Sequence, residues 1–120
     1  MNEILDDTKY QKALKQFYLS GLTVSAVQFS ITFQNQNEKQ TAMDANEDRE
    51  GFVIENDSDG NLYILAEDKI ASKTKKTLTI GPGEVYESTG PLARYTGTIT
   101  YFGELSEGRA TVTEFSRTTR

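Results

Sequence analysis

The chain has no cysteine and no histidine among its 120 residues. Without cysteine no disulfide can staple a small domain, so packing or assembly has to hold it. Without histidine the commonest general base, the commonest metal ligand and the usual pH switch all disappear. A Ser-His-Asp triad, a Cys-His pair and most zinc sites are excluded together. Any chemistry must come from carboxylates, Tyr, Lys or Ser/Thr. Long apolar runs are also missing, and no stretch approaches the ~20 residues needed to span a bilayer as a helix. The start of the chain, Met1 to Asp7, is acidic and has no long apolar centre, unlike a secretory signal. The expectation is a soluble chain made in the cytoplasm. Positive charge is in the minority, with 13 Lys and Arg against 18 Asp and Glu, a net −5. That balance argues against nucleic acid and against an anionic membrane surface as partners.

What remains is the material of one β-rich domain with a modest core. Residues 3–20 differ from the rest. Asp6, Asp7 and Thr8 supply N-cap and first-turn acid character, and the following run lacks β-branched residues. Tyr10, Ala13, Leu14 and Phe17 recur at helical spacing, and Gly21 is a natural stop. The pattern predicts one amphipathic helix within residues 1–21 and a β domain over 22–120. Leu22 to Phe33 is the longest β-rich run, and its alternation changes phase. Leu22, Val24 and Ala26 point one way, and Val27, Phe29, Ile31 and Phe33 the other, which predicts a bulge near Ala26 or a break. Gln34 to Glu50 is long and polar, with Thr41 to Met43 a candidate short strand. Gly51–Asn56 and Leu62–Ala66 flank a cluster of Asn, Asp, Ser and Gly, which reads as a β-hairpin turning at Asp57 to Gly60. Further short strands are predicted at Lys69–Ser72, Thr77–Ile80, Glu84–Glu87, Tyr95–Phe102 and Arg109–Phe115, with Gly81-Pro82-Gly83 a firm break. Seven to eight short strands with one apolar face each predict an antiparallel sandwich or small barrel.

No constellation commits the chain to catalysis. Asp44, Asn46, Asp48 and Glu55 have the ligand spacing of a calcium loop, but Arg49 stands where that loop needs Gly. Asp57, Asp59 and Asn61 are read as turn residues. Glu55, Glu67, Glu84, Glu87 and Glu114 offer no evident facing pair. Tyr63, Tyr86, Tyr95 and Tyr101 could form an aromatic platform, although tyrosine is also a common strand residue. No metal, cofactor or catalytic group is expected, and the chain is read as a non-enzyme. Tyr10, Leu14, Phe17 and Tyr18 on the helix, with Lys73, Lys75 and Lys76 in a basic turn, are the candidate assembly contacts.

Several segments in order resemble small virion structural proteins of tailed bacteriophages. They are Asn46 to Ile54, Asn56-Asp57-Ser58, Leu62-Tyr63-Ile64, Gly81 to Glu87, Tyr95 to Ile99 and Ala110 to Glu114. The likeness covers residues 46–115 and omits the helix and the first long strand. It implies a β-sandwich or jelly-roll module on a phage particle, located in the virion, whose partners are the major capsid protein or other virion proteins. A capsid decoration or cement role is the first expectation, as a homo-oligomer and by analogy a trimer. A receptor- or carbohydrate-binding module of a head fibre or tail is the alternative. Arg49, Asn56, Asp57, Gly60 and Tyr63 would be structural residues of the hairpin, with Arg49 paired to a carboxylate or to backbone carbonyls.

Overall fold

A computed structural model describes residues 24–33 and 38–118. The helix expected within residues 1–21, with Tyr10, Leu14, Phe17 and Tyr18, lies outside the described residues. Strands follow in the order β1 (Val24–Thr32), β2 (Gln40–Met43), β3 (Arg49–Asn56), β4 (Leu62–Leu65), β5 (Leu78–Ile80) and β6 (Val85–Glu87). A helical turn, α1 (Gly90–Ala93), precedes β7 (Ile99–Gly103) and β8 (Arg109–Arg117). They form two four-stranded antiparallel sheets, ordered β1-β8-β3-β6 and β2-β7-β4-β5. The first strand pairs with the eighth, the second with the seventh, the third with the sixth and the fourth with the fifth.

Period-two alternation supplies the facing surfaces. Phe52 and Ile54 on β3 and Ala110 and Val112 on β8 meet Leu62 and Ile64 on β4 and Ile99 and Tyr101 on β7 in one buried core. Phe33, just past β1, is fully buried against the inner ends of the sheets. Its ring occupies the space a β-carbon would need at Gly103 and Gly108, so both positions depend on a bare backbone. Both sheets also bury part of their outer faces. Residues 66–77 fold over the β2-β7-β4-β5 sheet, where Tyr63, Leu65 and Thr100 are buried and Thr100 Oγ1 donates to the Lys69 carbonyl at 2.7 Å. On the other sheet, Val53 and Phe115 form a small second cluster with Val24 and Val85.

Three expectations need correction. β3 and β4 are not a hairpin, because they lie in opposite sheets. β4 is buried at all four positions, which a two-stranded ribbon exposed on one side would not provide. The turn residues 57–61 carry the chain across the sandwich instead of back along one sheet. Residues Lys69–Ser72 are not a strand, since their backbone belongs to the covering connection. β1 has no bulge near Ala26: it pairs with β8 in unbroken register from Val24 to Thr32. The phase conflict is resolved by exposure. Phe29 and Ile31 turn inward, Val27 on the same face lies beyond the core at 58% exposure, and Val24 packs into the outer cluster. The short strand expected at Thr41 to Met43 is β2, and the Gly81-Pro82-Gly83 break is a turn. Gly83 takes φ +73° there, with Glu84 N–H donating to the Gly81 carbonyl at 3.0 Å, the geometry that Pro-Gly favours.

Candidate functional site

Each end of the sandwich is organised by one buried polar side chain. At the first end it is Arg49. The β3·β8 register slips between Arg49 and Gly51, so one extra residue sits in β3. Period two would otherwise put Arg49 on the opposite face from Phe52 and Ile54. The slip sets it opposite Ser116, on the inner side. Its side chain is fully buried. Nε donates to Glu114 Oε2 at 2.8 Å, Nη1 to the carbonyls of Tyr95 (3.1 Å) and Gly97 (2.9 Å), and Nη2 to the carbonyl of Asp44 (2.6 Å). Asn46 Nδ2 reaches the same Glu114 oxygen at 3.2 Å and Ser116 Oγ at 2.8 Å. One guanidinium therefore ties the β2–β3 loop and the loop before β7 to β8. Burial raises the Tyr95 phenol above its ordinary pKa, with Arg49 opposing, so it stays a neutral donor to the Thr98 carbonyl at 2.8 Å.

Beside this network a cleft of about 510 Å³ opens between the edges of β1 and β2. Phe29, Ile31, Thr41, Asp44, Asn46 and Glu114 line it. Glu114 is the one acid carried there by a strand, and its charge is already compensated by Arg49. Of the residues with calcium-loop spacing, Asp44 offers its backbone carbonyl to Arg49, Asn46 Oδ1 accepts from the Asp48 N–H at 3.0 Å, and Glu55 is exposed on β3.

At the second end the organiser is Asn56, which is fully buried. Its Nδ2 donates to the carbonyls of Gly60 (2.9 Å), Ile80 (2.9 Å) and Gly81 (3.0 Å). Its Oδ1 accepts from Ser58 N–H and Oγ. This clamps the β3–β4 crossing to the end of β5. Asp57 N–H donates to the Arg109 carbonyl, and Asp57 Oδ2 accepts from Thr111 Oγ1 at 2.8 Å. Gly60 is buried under Leu105. Between the crossing and the β7–β8 loop lies a cleft of about 500 Å³, lined by Asp57, Ser58, Asp59, Leu105, Glu107 and Arg109 among others. Leu105 is 43% exposed there. Carboxylates, one guanidinium and an apolar side chain on an open rim can hold a polar ligand by hydrogen bonds, and the volume falls within the range of small-ligand sites.

No family model, curated protein or solved structure matches this chain.

The residues singled out in the sequence are dispersed. Arg49 and Asn56 sit at opposite ends of β3, Asp57 and Gly60 are in the crossing, and Tyr63 is on the outer face of the opposite sheet. There Tyr63 stacks on Phe102 at 5.9 Å, with Lys76 Nζ 5.7 Å from its ring centre. Lys76 also donates to the Lys73 carbonyl at 2.7 Å, and Lys75 lies 3.5 Å from Glu67. The basic turn is thus partly engaged with its own domain. The tyrosines form no common platform. Tyr86 packs on Phe52 at the core, and Tyr101 is buried with its hydroxyl donating to the Thr32 carbonyl at 2.6 Å. Sequence reasoning did not join Arg49 to Glu114. The signal was present: Ala110, Val112 and Glu114 share one parity, so an acid falls on a core face and needs a buried cation.

Proposed function

We propose that this chain is a non-enzymatic structural protein of a tailed-phage virion, a decoration or cement protein that binds the capsid shell and stabilises it through subunit contacts. The observation that carries the proposal is the strand order, β1-β8-β3-β6 over β2-β7-β4-β5. Pairing first with eighth, second with seventh, third with sixth and fourth with fifth is what a long eight-stranded hairpin gives when it is wound into two sheets. We read it as the jelly roll, an architecture used by viral capsid and lectin domains. The step from fold to role is an analogy, supported by the ordered segments that resemble phage virion proteins. The commitment of Arg49 and Asn56 to holding loops in place suits a rigid building block. Particles purified from the phage or prophage that encodes the chain test this directly. Quantitative mass spectrometry should find it at a copy number comparable to the major capsid protein. Absence from the particles would end the proposal.

One observation favours the second reading, a carbohydrate- or receptor-binding module of a head fibre or tail. It is the open cleft at Asp57, Asp59, Leu105 and Arg109. That role gives a few copies per particle and saturable glycan binding that Arg109→Ala weakens.

A further inference from the structure

Each sheet ends in two edge strands, and three of the four are closed to further pairing. β5 and β6 have three residues each, and β6 ends in the charged Glu87. β2 has four residues and a register slip between Thr41 and Met43. Short, bulged or charged edges cannot template another strand well. β1 is the opposite in every respect. It is nine residues long, Val-Ser-Ala-Val-Gln-Phe-Ser-Ile-Thr, with no charge, no proline, no glycine and no slip against β8. Among the described residues it has β8 on one side and no strand on the other. Ser25, Ala26, Val27, Gln28 and Ser30 are exposed, and among the described residues Val27 is the most exposed large apolar side chain at 58%.

We infer that the open edge of β1 pairs antiparallel with β1 of a second copy of this chain, joining two four-stranded sheets into one of eight strands. The absence of charge is what selects a second copy over a different protein. A strand that receives a foreign chain can carry charges matched by the partner. About a two-fold axis the strand faces only residues of its own sequence, so an uncharged strand meets its copy with no like-charge repulsion even in a chain of net −5. Antiparallel self-pairing also satisfies the side chains. An axis at Gln28 sets Val27 of one copy opposite Phe29 of the other, on the same face, and Ala26 opposite Ser30. Val27 is then covered, and so is Phe29, which is only half-buried at the rim of the core. Backbone hydrogen bonds supply the affinity, as in other strand-addition interfaces. A single strand edge is narrow compared with the roughly 1,000 Å² of a firm interface, so the dimer is concentration-dependent. The closed two-fold replaces the trimer expected by analogy, and the inference does not depend on the virion reading.

Sedimentation equilibrium of the full chain over a concentration series tests it. The weight-average mass should climb from one chain to two and stop there. Val27→Lys should hold the chain monomeric at every concentration with an unchanged melting temperature, while Val27→Thr should associate like the parent. Amide exchange read alongside should slow with concentration in residues 24–31 and stay constant in β2, β5 and β6. A parent chain that remains monomeric, a trimer, or a Val27→Lys variant that associates as well as the parent would each overturn the inference. So would concentration-dependent protection confined to another edge.

Discussion

Arg49 shows how much one side chain can organise when it is buried with its partners. Removing it strands Glu114 and the carbonyls of Asp44, Tyr95 and Gly97 in a desolvated corner. Loss of one partner of a buried pair typically costs about 3–5 kcal/mol. Arg49→Ala should therefore lower the urea midpoint by an amount corresponding to about that loss. Glu114→Gln should cost less, because an amide still accepts from Nε and Asn46. Equal effects of the two substitutions would mean that the carbonyl contacts contribute little. At this scale the sequence was half legible. An arginine before a core-forming strand and a glutamate on the core parity of β8 could each be read as needing a partner. Their meeting could not, because it depends on the extra residue at the start of β3, and Gly51, which favours a bulge, does not say which strand is the partner or where the register slips.

At the scale of elements, strands were more legible than their pairings. Alternation in Thr77–Ile80, Tyr95–Phe102 and Arg109–Phe115 located β5, β7 and β8 to within a few residues. The Asn-Asp-Ser-Asp-Gly cluster was correctly a reversal of direction, but turn chemistry does not say whether the reversal stays in one sheet. That is decided by where the apolar faces can be covered. β4 has to be buried on both sides, by the core on one and by residues 66–77 on the other. Asn56 then fastens the crossing. Asn56→Ala removes a donor shared among three carbonyls and an acceptor for Ser58, and each unsatisfied buried group costs about 1–3 kcal/mol. Amide exchange of Gly60 and Asn61 should accelerate in this variant well before exchange in β7 does. Uniform acceleration would show that the asparagine supports the whole fold and not the crossing alone.

For the whole molecule, the two sheets and their apolar faces were readable from period two, whereas the order of strands was not. Order depends on contacts between residues some 85 positions apart, such as Gln28 with Thr113 at 2.9 Å. The pH response belongs to this scale too. Burial raises the Tyr101 phenol above its ordinary value of 10.0. Its stabilising contribution is present in full below the unfolded value, because both states then hold the proton. It is lost as pH rises from there through the raised folded value, because only the unfolded state releases the proton. Thermal stability should fall above about pH 10. Tyr101→Phe should start less stable, having lost the bond to the Thr32 carbonyl, and should show a shallower alkaline decline. A parallel decline in both proteins would assign the alkaline transition to other groups.

The position of β8 has a consequence in time. It is the last described strand to be synthesised, and it lies between β1 and β3 in their sheet. While the ribosome is still making the chain, β1 and β3 have no strand between them. The apolar faces of Phe29, Phe52 and Ile54 must wait in the open until residues 109–117 emerge. Folding of this domain therefore waits on residues 109–117, is governed by contacts between residues far apart in sequence, and is slow for its size. During that wait the uncharged edge of β1 is the segment most exposed to pairing with the wrong neighbour.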